Sequence, residues 1–139
     1  MAISLLDQVL GRTRPAPTAF TLVHSLEKGL PVKALDVLTK KLGLQAAEVD
    51  LLIPRRTLAY RRRSADMLLP PDVSDRVVRV TELVQLAIAT FDSHDAALEW
   101  MRASNPSLEG RTPFELAMTG PGGRIVEQTL GRIQHGIGF

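Results

Sequence analysis

Pro54-Arg55-Arg56-Thr57-Leu58-Ala59-Tyr60-Arg61-Arg62-Arg63 is half arginine and contains no acid. A guanidinium is a permanent cation whose planar fork matches phosphate oxygens and guanine edges. Five of them on about three helical turns repel one another until an anionic surface arrives. Pro54 suits a helix start, and Leu58 is the one large aliphatic residue that can anchor the segment to a core. Just upstream, residues 45–52 read as a short helix with Val49 and Leu52 inward, and Ile53-Pro54 makes the turn. Two short helices joined this way, the second one basic, point to a helix-turn-helix whose second helix enters the major groove of DNA. Arg55, Arg56, Thr57 and Tyr60 then occupy the turns that approach base edges, and Arg61, Arg62 and Arg63 lie further along, where phosphates run. Three or four phosphate contacts per protomer correspond to a log–log salt slope of about −3. The competing reading is a solvated basic face, or one that pairs with acids elsewhere in the chain.

Helical spacing continues in both directions, and β-branched alternation is nearly absent, so the expected fold is all-α. Residues 3–10 form a short helix or arm. Arg12-Thr13-Arg14-Pro15-Ala16-Pro17 breaks it, because two prolines forbid continuation. Residues 18–28 read as a helix with Phe20, Val23, Leu26 and Glu27 in register, ended by Gly29. Val32–Leu42 carries Leu35, Leu38 and Leu42 on one face, basic residues in its last turn and Gly43 as its stop. Beyond the basic helix, residues 64–72 are a connection ending in Leu69-Pro70-Pro71-Asp72. Ser74–Phe91 is the longest helix, and Ser93 caps the next, His94–Ala103. Thr112-Pro113-Phe114-Glu115 is a capping box with proline at the first position, and its helix is expected to end near Gly120-Pro121-Gly122-Gly123. A last helix over residues 124–135 is ended by Gly136, leaving the apolar tail Ile137-Gly138-Phe139. Three regions follow: residues 1–28 as an N-terminal helical arm or extension, 29–72 as the helix-turn-helix region and linker, and 73–139 as a small C-terminal helical domain.

The 139 residues carry a formal charge of only +2, but its distribution is lopsided. Residues 1–63 hold 11 Lys/Arg against 5 Asp/Glu, and residues 64–139 hold 6 against 10. One half suits a polyanion and the other does not. The chain has no cysteine, which excludes disulfides and thiolate metal sites and fits a reducing cytoplasm. Met1–Asp7 lacks a basic leader and carries an acid, so it makes a poor signal peptide, and no uncharged apolar run reaches the ~20 residues of a membrane span. His24, His94 and His135 are scattered, without metal-ligand spacing. No nucleophile-elbow motif occurs, and Gly120-Pro121-Gly122-Gly123 lacks the lysine and preceding strand of a phosphate loop. No metal, cofactor, small-molecule substrate or catalytic residue is expected.

The stretch Trp100-Met101-Arg102-Ala103-Ser104-Asn105-Pro106-Ser107-Leu108-Glu109-Gly110-Arg111-Thr112-Pro113-Phe114-Glu115-Leu116, followed by Gly123, Val126, Leu130, Gly131-Arg132-Ile133 and Gly136, resembles the Xre/MbcA/ParS antitoxins of type II toxin–antitoxin systems. Glu109 stands where many members of that family have a second glycine. The resemblance covers about residues 30–139. It implies an Xre-like helix-turn-helix followed by a toxin-binding domain, a non-enzymatic protein that binds operator DNA near its own promoter, and a partner toxin of the RES type that acts on NAD. It also implies that the C-terminal end covers the toxin's active-site entrance. Arg132, Gly136, Ile137, Gly138 and Phe139 are then the toxin-facing residues, while Trp100, Asn105, Pro106, Thr112 and Pro113 shape the domain. A homodimer would present two basic helices about one DNA turn apart. The alternatives are a dimeric helix-turn-helix regulator without a toxin partner, and an inhibitor whose basic helix does not meet DNA.

Overall fold

A glycine that takes a left-handed backbone ends a helix cleanly, and the helices on either side of Gly43 form where that residue divides them. The computed structural model describes residues 3–13 and 18–136. Over these residues the chain is helical, with two isolated bridges and no extended strand. It divides into two units, one ending at Val78 and the other beginning at Arg79.

The first unit contains α1 (Leu5–Val9), α2 (Ala19–Lys28), α3 (Val32–Leu42), α4 (Ala46–Leu52), α5 (Arg55–Arg63) and the opening turns of α6 (Pro71–Phe91). The Ser4 hydroxyl caps α1 by accepting from the Asp7 amide at 3.1 Å, and α1 packs on α3. Val32, Ala34, Leu35, Leu38 and Leu42 are buried along one face of α3, and Gly43 closes it at φ +62°. Glu48 sits in the first turn of α4 and accepts from the Gln45 amide at 2.9 Å, satisfying a donor that the helix leaves open. Leu52 and Ile53 are fully buried at the turn into α5. Arg76 of α6 donates to the Leu52 carbonyl at 3.0 Å, closing the open end of α4.

The connection after α5 is tied down. Val32 N–H donates to the Met67 carbonyl at 2.8 Å and Leu69 N–H to the Leu30 carbonyl at 2.7 Å, around the antiparallel bridge Pro31–Leu68. Leu69 is buried, and Ser74 accepts from the Leu30 amide while donating to the Pro70 carbonyl. Gly29 does more here than stop a helix. Its φ is +99°, and a methyl on it would overlap the Leu69 carbonyl oxygen. The spacing in α2 is helical as expected, yet Phe20 is 73% and Val23 45% exposed.

The second unit contains the remainder of α6, then α7 (His94–Arg102), a 3-10 turn (Pro106–Leu108), α8 (Pro113–Leu116) and α9 (Gly120–Gln134). α7 packs on α8 and α8 on α9. Met101, Phe114, Ala117, Val126 and Leu130 are buried. Trp100 is half-buried, with its ring centroid 5.8 Å from that of Phe91. Two expectations change. α8 ends at Leu116, and α9 begins at Gly120, so the Gly-Pro-Gly-Gly stretch opens a helix instead of separating two. Thr119 caps it by accepting from the Gly122 amide at 3.0 Å, and Pro121 lies in the first turn, where a missing N–H costs nothing. The Thr112–Glu115 box is also half of what was expected. The Thr112 hydroxyl accepts from the Glu115 amide at 3.1 Å, but the Glu115 carboxylate takes the hydroxyl proton, not the Thr112 amide.

Candidate functional site

The arginines of α5 do not share one environment. Helical geometry places Arg56, Ala59 and Arg63 along a single outward line, at i, i+3 and i+7. All three are exposed, and neither arginine has a partner among the described residues. Tyr60 lies beside that line, 64% exposed. Arg55 and Arg62 lie on the other flank. Arg55 donates to Asp50 Oδ2 at 2.9 Å, and Arg62 engages Asp36 with both ends of its fork, Nη2 to Oδ1 at 2.7 Å and Nη1 to Oδ2 at 3.1 Å. Hydrogen bonding to Asp36 raises the pKa of Arg62 above the ordinary guanidinium value, against a smaller lowering by partial burial. Arg61 turns inward, with Nη1 3.4 Å from the Leu68 carbonyl and Nε buried without a hydrogen-bond partner. Thr57 and Leu58 are half-buried and seat the helix.

This arrangement can meet a negatively charged groove. Two free guanidinium groups about two turns apart suit guanine edges or phosphates, and the small side chain of Ala59 between them lets the helix axis approach closely. Lys33 and Lys40 of α3 are exposed and have no partner among the described residues, and they lie one on each side of Asp36 in the helix. Sequence reasoning singled out the arginines but missed Ala59 and Asp36. The i, i+3, i+7 spacing within the arginine run signals the first. Asp36 lies 26 residues from its partner and gives no local signal.

In the second unit the 3-10 turn is built by Asn105. Its buried side chain accepts from the Ser107 amide at 3.0 Å and the Ser107 hydroxyl at 2.7 Å. Its carbonyl accepts from Leu108 and Gly110, and its amide donates to the Arg111 carbonyl. Pro106 starts the turn, Thr112 and Pro113 start α8, and Pro113 is buried. Glu109 has φ +59° and ψ 30°, so a residue with a side chain occupies a left-handed position that glycine adopts freely.

Arg79 holds the turn between α8 and α9. Its Nε donates to the Ala117 carbonyl at 2.7 Å and its Nη2 to the Met118 carbonyl at 3.3 Å. A methyl on Gly123 would press on the Arg79 stem, and one on Gly122 would overlap the Leu116 carbonyl oxygen. Neither role is legible in the sequence, where Arg79 stands 38 residues before Ala117. The outward side of α9 carries Arg124, Gln128 and Gly131, with Ile125 46% exposed at its margin. Arg132 is exposed in the last turn, its Nη2 3.4 Å from Thr129 Oγ1, and Gly136 follows at φ +72°. Ile137, Gly138 and Phe139 lie outside the described residues. Among the described residues no group of acids and histidines is placed to hold a metal, and no helix is long and apolar enough to cross a membrane.

Residues 21–82 match the family described as the antitoxin Xre-like helix-turn-helix domain, and residues 86–136 match the antitoxin Xre/MbcA/ParS C-terminal toxin-binding domain. The chain is similar to proteins named Antitoxin Xre. One from Yersinia enterocolitica is 30% identical over 126 residues, which is 88% of this chain and 84% of that one. One from Pseudomonas putida is 31% identical over 120 residues, 86% and 75% of the two chains. One from Photorhabdus laumondii is 28% identical over 114 residues, 81% and 77%.

Proposed function

The chain belongs to the Xre/MbcA/ParS antitoxin family as a non-enzymatic regulatory protein, and from that premise we propose that it neutralises a cognate RES-domain toxin that consumes NAD and represses its own operon. The toxin is blocked by steric covering of its active site. Arg132, one turn before Gly136, faces acidic groups in the toxin, and residues 136–139 enter the cleft. The match of residues 86–136 to a toxin-binding domain carries this reading. The unpartnered Arg56–Ala59–Arg63 line on the second helix of the helix-turn-helix supports the second job, with Tyr60 beside it. The protein acts in the cytoplasm as a homodimer whose two α5 helices meet successive turns of an operator.

Cellular NAD, measured with the adjacent toxin expressed alone, with the full chain and with a chain lacking Ile137–Phe139, tests the toxin half. NAD falls with toxin alone, recovers with the full chain and recovers poorly with the truncated one. Full recovery with both forms moves the blocking surface off the tail. No recovery with either leaves a DNA-binding regulator without this partner.

A further inference from the structure

Asp36 is an unusual residue for its place. It lies on the outer face of α3 between two exposed lysines, Lys33 and Lys40, on a unit whose neighbouring helix is the most basic segment of the chain. Its carboxylate takes both ends of the Arg62 fork. The two side chains are 49% and 42% exposed, so the pair is not a buried structural bridge. Half-exposed ion pairs contribute little to stability because water screens them. What the pair does is engage, within the fold, a cation on the surface that would meet a phosphate backbone.

We propose that Asp36 withholds Arg62 from DNA, so that the Arg56–Ala59–Arg63 line is the contacting surface of α5 and the Asp36–Arg62 pair limits its sequence-independent affinity. The inference rests on the reading of α5 as a DNA-contacting helix. Sequence-independent affinity scales with the number of phosphates neutralised, each contributing about 0.9 to the slope of log K against log salt. A chain with every α5 arginine free would bind any duplex tightly and spend its time on unrelated sites. Pairing Arg62 within the fold lowers that background and leaves the free arginines to discriminate. Asp36 is thus a specificity-determining residue that touches no base.

The test uses the full-length chain and a mixed-sequence duplex, with affinity measured across a salt series. Asp36→Asn keeps the side chain's size while removing its charge. It is expected to bind about fivefold tighter at 0.15 M salt, with the slope steeper by about 0.9. The double variant D36N/R62Q is expected to return to wild-type affinity and slope, because the pair it removes is neutral. Thermal melts of both variants establish that they are folded, and Asp36→Ser serves as a second single variant with the same expected gain. Weaker or unchanged binding by the folded single variants overturns the proposal, since Asp36 would then be presenting Arg62 to DNA or leaving it idle. A double variant with a shallower slope than wild type also overturns it, because Arg62 would be a phosphate contact. A double variant that keeps the whole gain assigns the effect to carboxylate repulsion and removes Arg62 from it. If the wild-type chain binds no duplex at any salt, it is the DNA reading of α5 that fails, and this inference falls with it.

Discussion

Replacing Gly122 by alanine tests the close approach that joins α8 to α9. A methyl at this position would overlap the Leu116 carbonyl oxygen and sit 3.0 Å from Thr119 Oγ1, the atom that caps α9. The obstacle on one side is backbone, which cannot rotate away. Overpacking of this kind costs about 1–3 kcal/mol, and losing the Thr119 cap adds about 1 kcal/mol. Alanine returns up to about 1 kcal/mol through better helix propensity. The expected net loss is about 1–3 kcal/mol, which for a chain of this size lowers Tm by roughly 3–12 °C. Trp100 is the sole tryptophan and lies in the same unit, against Phe91, so its fluorescence follows this unit's unfolding directly. Gly131→Ala is the matched control. It changes glycine to alanine in the same helix, where the added methyl meets nothing within 4 Å. That variant should gain about 0.5–1 kcal/mol. If Gly122→Ala is neutral, or shifts the midpoint upward with Gly131→Ala, the steric argument is wrong.

In the first unit, Gly29→Ala must hold a side chain at φ +99° against the Leu69 carbonyl, and should lose about 2–4 kcal/mol in urea unfolding followed by circular dichroism; a loss below about 1 kcal/mol would contradict the contact. Glu109→Gly relieves a left-handed backbone and should raise the unfolding free energy followed by Trp100 fluorescence by about 0.5–1 kcal/mol, a gain that vanishes if the Glu109 side chain contributes more than its backbone costs. Arg63→Ala should weaken duplex binding and make the salt slope shallower by about 0.9, and an unchanged slope would take Arg63 off the DNA surface. Asn105→Ala removes the acceptor for two Ser107 donors in a buried turn and should cost about 1–3 kcal/mol by tryptophan fluorescence, whereas a neutral result would mean that the backbone holds the turn alone.

The bounds of α3 and α5 were legible because their ends are written locally. Gly43 supplies a left-handed stop, and Pro54 precedes a run with no competing breaker. The start of α9 was misplaced because glycine and proline together suggest a break. The local signal for the correct start was present in Thr119 and Pro121, a cap and a first-turn proline, but the reason for Gly122 and Gly123 is tertiary and lies in Leu116 and Arg79. Phe20 and Val23 show another limit. Spacing tells which residues share a helix face, not whether anything covers that face. The separation of Arg62 from Arg63 is of the same kind. Adjacent and identical in sequence, they differ only because α3 brings Asp36 to one of them.

The short bridge between residues 30–32 and 67–69 has an architectural consequence. The chain leaves that neck to make α3, α4 and α5, then returns to it within hydrogen-bonding distance of where it left. The excursion therefore has adjacent ends, so the change in direction at each end is fixed by the same pair of hydrogen bonds. Beyond the neck it is anchored where α1 packs on α3 and where Arg76 of α6 donates to the Leu52 carbonyl. On the proposed reading of α5 as a DNA-contacting helix, substitutions that alter its outward face fall inside this excursion and leave the hydrogen bonds of the neck in place.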